Sequence, residues 1–358
     1  MIIRGQISVL LVIKHLFTMS EFRQDPITKN WVIIAPERAK RPGVFKRKKK
    51  RDERKLKHTC PFCEGNEKMT PPEIMAFREK GTKPNKPGWT VRVFENKFPA
   101  LIKNKSLDLR SSDIYLNMKT LGAHEVVALH KHEECIARES VLAIEESIKA
   151  CKKRFLHLSK NALIKHIHII QNQGAKAGAS ISHPHFQIFA LPLIPQMILG
   201  EIDGTEEYYK IHKSCVYCGM FKEAKENSRV ILENEHFIAF TPYASRSQYE
   251  IWILPKEHEP RFEKINNLEI RSLSNIWGKV LSKLDKGLEN PAYNSYIHTC
   301  PVNSDLSSET LDFYHWHIEI LPKLSIWGGL ELGTGVIINT RSPEEAAKFL
   351  RNVKVKSR

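Results

Sequence analysis

The sequence contains no hydrophobic run long enough to cross a membrane. Its longest apolar stretch spans residues 7–13, far fewer than the roughly 20 residues that a membrane-spanning helix needs. No small-residue cleavage site follows this stretch, so it does not resemble a secretory signal. Because Met19 is a second potential start, residues 1–18 are expected to be an extension outside the fold. We therefore predict a cytoplasmic protein with no membrane partner.

Cysteine is scarce and odd in number, which argues against a disulfide framework. The chain has seven cysteines, and four of them form two Cys-x-x-Cys pairs, Cys60 with Cys63 and Cys215 with Cys218. Reduced thiols that bind a metal ion fit this pattern better than disulfides do. Neither pair is predicted to open a helix after a strand in a βαβ unit, which makes a thioredoxin-like redox role weak.

Acidic residues are outnumbered, yet the excess positive charge is confined to one segment. Of the formal net charge of +16, residues 38–57 carry +10, from twelve Lys and Arg against two acids. Such a block is typical of a solvated arm. A competing hypothesis is a zinc-ribbon protein that binds nucleic acid. It is disfavoured because a ribbon places its two Cys pairs about 15–20 residues apart, whereas these pairs are separated by about 150 residues.

The two halves of the chain repeat the same order of signals. Each Cys pair is followed by β-branched strands, a long helical stretch, and a final strand that contains His-x-His and ends in Leu-Pro. The helical stretches are predicted at residues 136–158 and 268–288, within units of strand, strand, helix, strand, strand. We therefore predict an α+β fold of two related halves, each an antiparallel sheet with packed helices. The halves are predicted at 19–195 and 196–358.

The final strand of each half carries the residues with the most chemistry. In the first half, His183, His185 and Gln187 lie two residues apart and so share one face of an extended strand. The second half has Glu319 where the first has Gln187. An amide can donate a hydrogen bond to a phosphate oxygen, whereas a carboxylate repels it. The first half is therefore predicted to bind phosphate, with His185 rather than His317 as the nucleophile.

The repeat also predicts two structural metal sites, each with four Cys and His ligands. Tetrahedral zinc takes such a set, and a site closed by four protein ligands leaves no position open for chemistry. Iron in place of zinc stays open at one site. His130 and His124 compete with His132 in the alignment of the two halves. The predicted ligands are Cys60, Cys63, His132 and His183 in the first half, and Cys215, Cys218, His258 and His315 in the second.

At these motifs the chain resembles the galactose-1-phosphate uridylyltransferase family, a nucleotidyl-transferring branch of the histidine-triad superfamily. The motifs are FRQDPITKNWVIIAPERAKRP from residue 22, RVFENKFPALI from residue 92 and NQGAKAGASISHPHFQ from residue 172. The resemblance implies a ping-pong reaction, in which His185 attacks the α-phosphorus of a nucleoside-diphosphate sugar and forms a covalent nucleotidyl-histidine. A second hexose 1-phosphate then accepts the nucleotide. It implies a homodimer and no catalytic metal ion.

The resemblance also assigns further residues to the substrate. With Gln187, the Ser180 side chain and the Gly178 backbone would hold the phosphate, while Asn96 and Asn172 would contact the nucleotide. Two arginines of the ERAKRP motif, Arg38 and Arg41, would reach phosphate or sugar across the dimer interface.

The C-terminal stretch departs from the family's uridylyl enzymes. Those enzymes carry a Tyr-Glu pair, followed shortly afterwards by a Gln that contacts the hexose. Here Glu331 is kept as a substrate contact, but Leu330 and Ile337 replace the Tyr and the Gln. The GTG turn at 333–335 and the SISH sequence before the histidine motif are closer to relatives such as ADP-glucose phosphorylase. UDP-glucose and galactose 1-phosphate are the first prediction for the substrates, as in galactose metabolism. Three alternative functions stay open: an ADP-glucose phosphorylase, another adenylyl transferase, or a hydrolase that uses the same histidine.

Overall fold

A computed structural model describes residues 20–40, 59–103, 106–133, 135–304, 306 and 310–355. The predicted extension at 1–18, Arg41 and the basic run at 46–57 lie outside the described residues. Strands are found at β1 Glu21–Gln24, β2 Trp31–Ile34, β3 Glu73–Arg78, β4 Trp89–Glu95, β5 Arg110–Ser111, β6 Leu116–Asn117, β7 Ala123–Leu129, β8 His166–Gln173, β9 His185–Leu191, β10 Val230–Glu233, β11 Phe237–Phe240, β12 Ile251–Pro255, β13 Tyr293–His298, β14 His317–Pro322 and β15 Ile337–Asn339.

The helices that these strands alternate with are α1 Val141–Leu158, α2 Gln196–His212, α3 Val216–Glu226, α4 Asn267–Gly287, α5 Thr310–Phe313, α6 Gly329–Thr334 and α7 Pro343–Asn352. Single 3-10 turns occur at Pro36–Lys40, Glu67–Met69, Ile136–Arg138, Ala175–Ala177 and Phe262–Lys264. In the part of the chain described, no helix combines the length and the apolar content needed to cross a bilayer.

Ten strands form one continuous antiparallel sheet, and their order contains the internal repeat. The order is β10-β11-β12-β14-β13-β8-β9-β7-β4-β3. The first half contributes β3, β4, β7, α1, β8 and β9, and the second contributes β10, β11, β12, α4, β13 and β14 in the same chain order. The halves meet where β8 pairs antiparallel with β13. The predicted α+β fold of two related halves is confirmed.

Two features of this sheet differ from the sequence prediction. Each half contributes three strands to this sheet before its long helix rather than two. The additional strands, β3 and β10, form the two outer edges of the sheet, and β10 has only four residues, which makes its pattern weak. The two predicted sheets are also joined into one. Pairing β8 with β13 removes two strand edges that would otherwise leave backbone hydrogen-bonding groups unpaired.

The two long helices, α1 and α4, pack against each other and against the sheet. The Ser140 side chain accepts a hydrogen bond from the Ala143 N–H at the start of α1, and Asn266 with Glu269 forms a capping box at the start of α4. The observed ranges agree closely with the predicted ones, except that residues 136–138 form a separate 3-10 turn. Burial of a side chain such as Phe155 contributes about 1.5–3 kcal/mol to folding.

The N-terminal segment of the first half lies against the second half. Strand β1 pairs with β2, and β2 pairs in parallel with β15 to form a separate three-stranded sheet. Arg23 forms an ion pair with Glu344 at 2.8 Å and lies over the ring of Tyr243 at 4.5 Å. In α2, Gly204 packs so closely on Ile27 that an added Cβ would lie 2.0 Å from the Ile27 carbonyl oxygen. Residues 20–40 are therefore held by the C-terminal part of the chain.

Candidate active site and metal centres

The connection between β8 and β9 carries the predicted phosphate-binding segment. It leaves β8 through Gly174 at φ +76°, makes the 3-10 turn at Ala175–Ala177, and passes through Gly178 at φ +83°. This left-handed conformation favours glycine, since a Cβ there is strained. No heavy atom lies within 4 Å of the position that a Gly178 Cβ would take, and Ser180 is exposed. The loop therefore presents backbone and a hydroxyl group to solvent above the sheet.

His185 is the first residue of β9 and is oriented by the backbone just before it. Its Nδ1 lies 2.7 Å from the His183 carbonyl oxygen. A carbonyl only accepts, so Nδ1 carries the proton and Nε2 keeps its lone pair. Burial lowers the pKa of His185, which keeps the ring neutral. The Phe62 ring contacts the imidazole edge-on, with centroids 5.1 Å apart. This arrangement leaves Nε2 as the ring nitrogen that keeps an unshared electron pair.

Three neighbouring strands bring Gln187 together with His124 and Asn96. Gln187 lies on β9, His124 on β7, and Asn96 directly after β4. The Gln187 Oε1 is 2.8 Å from His124 Nε2, and the Asn96 Nδ2 is 3.1 Å from the same nitrogen. Phe186 and Ile188, the alternate residues of β9, point into the core on the other face of the sheet. A group of two amides and one imidazole thus lies beside His185.

Asn172 connects the loop to the second half of the molecule. Its Oδ1 accepts a hydrogen bond of 2.8 Å from the Nδ2 of Asn294 on β13. The same Nδ2 donates to the Ala177 carbonyl oxygen at 2.7 Å. The contact between β8 and β13, where the two halves meet, therefore fixes the position of the glycine-containing loop.

The structure does not bring Arg38 or Glu331 to this group. Arg38 lies in the 3-10 turn Pro36–Lys40, which follows β2. Within the described part of the chain, no hydrogen bond or ion pair joins it to His185 or Gln187. Glu331 accepts a hydrogen bond of 2.9 Å from the Gly328 N–H and caps α6. The substrate roles predicted for both residues stay predictions.

The four ligands predicted for the first metal site lie together. The potential ligand atoms of Cys60, Cys63, His132 and His183 are all within 4.8 Å of one another. The Cys63 Sγ is 3.0 Å from His132 Nδ1, and the His183 Nδ1 is 3.7 Å from the Cys60 Sγ. His183 Nε2 is 2.5 Å from the Leu129 carbonyl oxygen, which places the proton on Nε2 and frees Nδ1 for a metal. Burial lowers the pKa of His183 to about 3, so the ring is neutral.

The two competing histidines lie elsewhere. His130 faces Glu64, with its Nδ1 3.8 Å from the Glu64 Oε2, and it contacts the edge of Trp89. His124 lies beside Gln187, as described above. The donor set gathered around the first Cys pair therefore fits a tetrahedral zinc ion with His132 as the third ligand.

The second predicted site has the same composition in a different local structure. The potential ligand atoms of Cys215, Cys218, His258 and His315 also lie within 4.8 Å of one another. Cys215 is the N-cap of α3, whereas the first Cys pair lies in a turn. A hydrogen bond from the Cys215 thiol, with others from His258 and His315, outweighs burial and lowers the pKa of Cys218 to about 3. A thiolate at Cys218 suits a zinc ligand.

A third buried group of potential ligands was not predicted from the sequence. It comprises Glu201 from α2, His298 from β13, and His317 and Glu319 from β14. His298 Nδ1 is 2.8 Å from the Glu201 Oε1, and the Tyr314 hydroxyl donates to the Glu201 Oε2 at 2.8 Å. The His-x-His-x-Glu motif contains two of the four residues. Glu201 is separated from them by about 100 positions and carries no local signal.

This third group occupies the place in the second half that corresponds to the His185 site. His317 Nδ1 is 3.0 Å from the His315 carbonyl oxygen, and His185 Nδ1 is likewise 2.7 Å from the His183 carbonyl oxygen. His317 and Glu319 are almost fully buried, at 0% and 1% exposed. The Glu319 carboxylate accepts a hydrogen bond of 2.6 Å from the Tyr296 hydroxyl and pairs with Arg246. The corresponding site is therefore filled by internal partners.

Comparison with known proteins agrees with this arrangement. The family model described as galactose-1-phosphate uridyl transferase matches residues 13–195 with its N-terminal domain and 201–354 with its C-terminal domain. The chain is 37% identical to ADP-glucose phosphorylase of Arabidopsis thaliana over 336 residues, which cover 93% of each protein.

Two further relatives cover nearly the whole chain. The galactose-1-phosphate uridylyltransferase of Thermotoga maritima is 28% identical over 346 residues, covering 94% of this chain and 99% of that protein. The crystal structure of an Arabidopsis thaliana ADP-glucose phosphorylase with bound ADP-glucose superposes with a TM-score of 0.81, at 36% identity, covering 94% of this chain and all of that one. The chain therefore belongs to the galactose-1-phosphate uridyl transferase family, and it is a nucleotidyltransferase whose relatives act on nucleotide sugars and sugar phosphates.

Proposed function

We propose that this enzyme transfers the adenylyl group of ADP-glucose through a covalent intermediate on His185. The observation that carries the choice of donor is the 37% identity, over 93% of both chains, to an ADP-glucose phosphorylase. The replacement of the hexose-contacting Tyr and Gln by Leu330 and Ile337 points the same way. The proposed acceptor is inorganic phosphate, because a phosphorylase transfers a group to phosphate.

The geometry at His185 supports a two-step displacement. The Nε2 lone pair attacks the α-phosphorus, and a P–N bond forms as the bond to the bridging oxygen breaks. Glucose 1-phosphate leaves with that electron pair. A phosphate oxygen then attacks the same phosphorus, the P–N bond breaks, and the electron pair returns to Nε2 as ADP departs. Imidazole suits both steps because it is a nucleophile and a leaving group near neutral pH.

Side chains near His185 are proposed to bind the nucleotide sugar. The Gln187 amide donates to an oxygen of the α-phosphate, where a hydrogen bond to a charged group is worth about 1.5–3 kcal/mol. Ser180 and the Gly178 backbone complete the phosphate site, and Asn96 and Asn172 contact the nucleotide.

The sites of Arg38 and Glu331 are proposed to be completed in a homodimer. Among the described residues, neither side chain forms a hydrogen bond or ion pair with His185 or Gln187. Near Glu331, Ile326 is 88% exposed and Leu332 is 73% exposed, as expected of side chains that a second copy covers. Sedimentation equilibrium measures the mass directly, and a monomer at micromolar concentration contradicts this part of the proposal.

The donor is tested by labelling. The protein is incubated with ADP-glucose or UDP-glucose carrying a labelled α-phosphate, and acid-labile label on the protein is counted. We expect faster labelling from ADP-glucose and no labelling of His185→Ala. The matched change in the second half, His317→Ala, should retain the label, and unfolding curves are recorded for both variants. Faster labelling from UDP-glucose would show that UDP-glucose is the donor and that the uridylyl group is transferred. Label that persists in His185→Ala would refute the covalent step.

Two structural zinc ions are proposed for the two groups of two cysteines and two histidines. When bound, each ion links segments that are distant in sequence and adds folding free energy. Elemental analysis is expected to find one zinc fewer per chain in Cys60→Ser and in Cys215→Ser. The control is Cys135→Ser, which changes a buried cysteine outside both groups. An unchanged metal content in either variant contradicts the assignment of that site, and iron in place of zinc corrects the metal.

A further inference from the structure

His124 is a buried imidazole that neither proposed metal site includes. It is 8% exposed and stacks on Phe189, with ring centroids 4.0 Å apart and an angle of 25° between the rings. Its Nδ1 accepts a hydrogen bond of 3.2 Å from the Ala100 backbone N–H, and its Nε2 lies 2.8 Å from the Gln187 Oε1. Both ring nitrogens are therefore engaged, one by the backbone and one by a residue proposed to bind the phosphate.

The backbone contact determines where the proton of this ring lies. A neutral imidazole has one donor nitrogen and one acceptor nitrogen. The Ala100 N–H can only donate, so Nδ1 must be the acceptor and Nε2 must carry the hydrogen. The Nε2–H then donates to the Oε1 of Gln187. Burial lowers the pKa of His124, which favours this neutral form.

The position of that proton decides which end of the Gln187 amide faces the substrate. With Oε1 bound to the Nε2–H of His124, the NH₂ group of Gln187 is left for another acceptor. The opposite tautomer would accept from the amide nitrogen and turn its oxygen outward, toward the negative phosphate. A carbonyl oxygen repels a phosphate oxygen, whereas an amide N–H binds it. The function of Gln187 therefore depends on a ring that does not touch the phosphate.

The tautomer of His124 also determines whether the Asn96 amide hydrogens bind the imidazole. Its Oδ1 accepts a hydrogen bond of 2.9 Å from the Phe98 N–H, which places Nδ2 against the His124 ring at 3.1 Å. Because Nε2 already carries a hydrogen, it does not accept one from Asn96. The amide hydrogens of Asn96 are thus not consumed by the imidazole and stay available to a ligand.

We propose that His124 is a positioning residue that orients the Gln187 amide so that its NH₂ group faces the α-phosphate of the nucleotide sugar. This inference rests on the proposed nucleotidyl transfer and deepens it. It predicts that the imidazole affects the rate of the covalent step through Gln187 alone, and that a side chain with an N–H at the same place can substitute for it.

A double-mutant cycle in single-turnover labelling tests this coupling. The probe is the α-labelled nucleotide sugar that labels the wild-type protein. His124→Phe keeps an aromatic ring against Phe189 but removes the donor, and it is expected to slow labelling about ten-fold or more with little change in the donor concentration at half-maximal rate. His124→Gln restores an N–H donor and is expected to recover most of the rate. His157→Phe, which alters an exposed imidazole on α1, serves as the control.

The decisive comparison uses Gln187→Ala as the background. If His124 acts through Gln187, adding His124→Phe to Gln187→Ala has no further effect on the labelling rate. Equal slowing by His124→Phe in both backgrounds would overturn the proposal, as would a wild-type rate in His124→Phe. Should His124→Phe not fold, His124→Leu takes its place as the variant without a donor. Absence of label on the wild-type protein would overturn the proposed function itself. This outcome differs from a failure of the His124 proposal, in which the wild-type protein is labelled.

Discussion

His166, the first residue of β8, should make the protein sensitive to mild acid. The side chain is fully buried, and among the described residues neither ring nitrogen has a hydrogen-bond partner. Burial lowers its pKa from 6.5 to about 3. Between these values the unfolded chain binds a proton that the folded chain does not, so stability falls as the pH falls. At pH 5, about 1.5 pH units below the unfolded value, the loss from this group alone is about 2 kcal/mol.

The substitution His166→Leu removes this titration. We expect the free energy of urea unfolding to fall between pH 7.5 and pH 5.0 by about 2 kcal/mol more in the wild-type protein than in the variant. The variant should also be the more stable at pH 7.5, because two unpartnered buried nitrogens are removed. Zinc is kept in excess at both pH values, and His157→Leu on the exposed face of α1 is the control. Equal losses in the wild-type protein and His166→Leu would refute the reasoning.

Two further predictions concern buried contacts. Arg154 donates to both oxygens of Glu125, at 2.7 and 2.8 Å, so Arg154→Met should destabilise the protein by about 3–5 kcal/mol in urea unfolding, because a carboxylate stays buried alone. The paired change with Glu125→Leu should recover most of this loss, and a double variant no more stable than Arg154→Met contradicts it. Gly204→Ala should lower the melting temperature, because its Cβ would collide with the Ile27 carbonyl oxygen. Gly200→Ala in the same helix meets nothing within 4 Å and should stabilise by about 0.5–1 kcal/mol. Equal effects of the two alanines would contradict the collision.

Much of the architecture could be predicted from the sequence because its signals are local. Both long helices have clear periodicity and capping residues such as Asn266, and the matching Cys pairs and His-x-His strands reveal the repeat. The grouping of His132 with Cys60 and Cys63 followed from the alignment of the two halves. These predictions needed only residues close in sequence or equivalent in the repeat.

The rest depends on contacts between distant residues. Glu201 meets His298 across 97 positions, and nothing in the sequence around the glutamate marks it as a partner. The sequence indicates His124 only as an alternative metal ligand, since its distance to Gln187 is set by the pairing of β7 with β9. The joining of β8 to β13 likewise depends on two strand edges whose patterns would suit either a separate or a shared sheet.

The pairing of β2 with β15 has a consequence for the order in which the protein can fold. During synthesis, residues 31–34 emerge about 300 residues before their parallel partner at 337–339. The N-terminal hairpin therefore lacks this partner strand until the residues of the helices and the ten-stranded sheet have been synthesised. A fragment that ended at residue 195 would contain that hairpin but not the strand it pairs with. Completion of this three-stranded sheet is thus a late event, which joins the N-terminal hairpin to the second half after both halves have been synthesised.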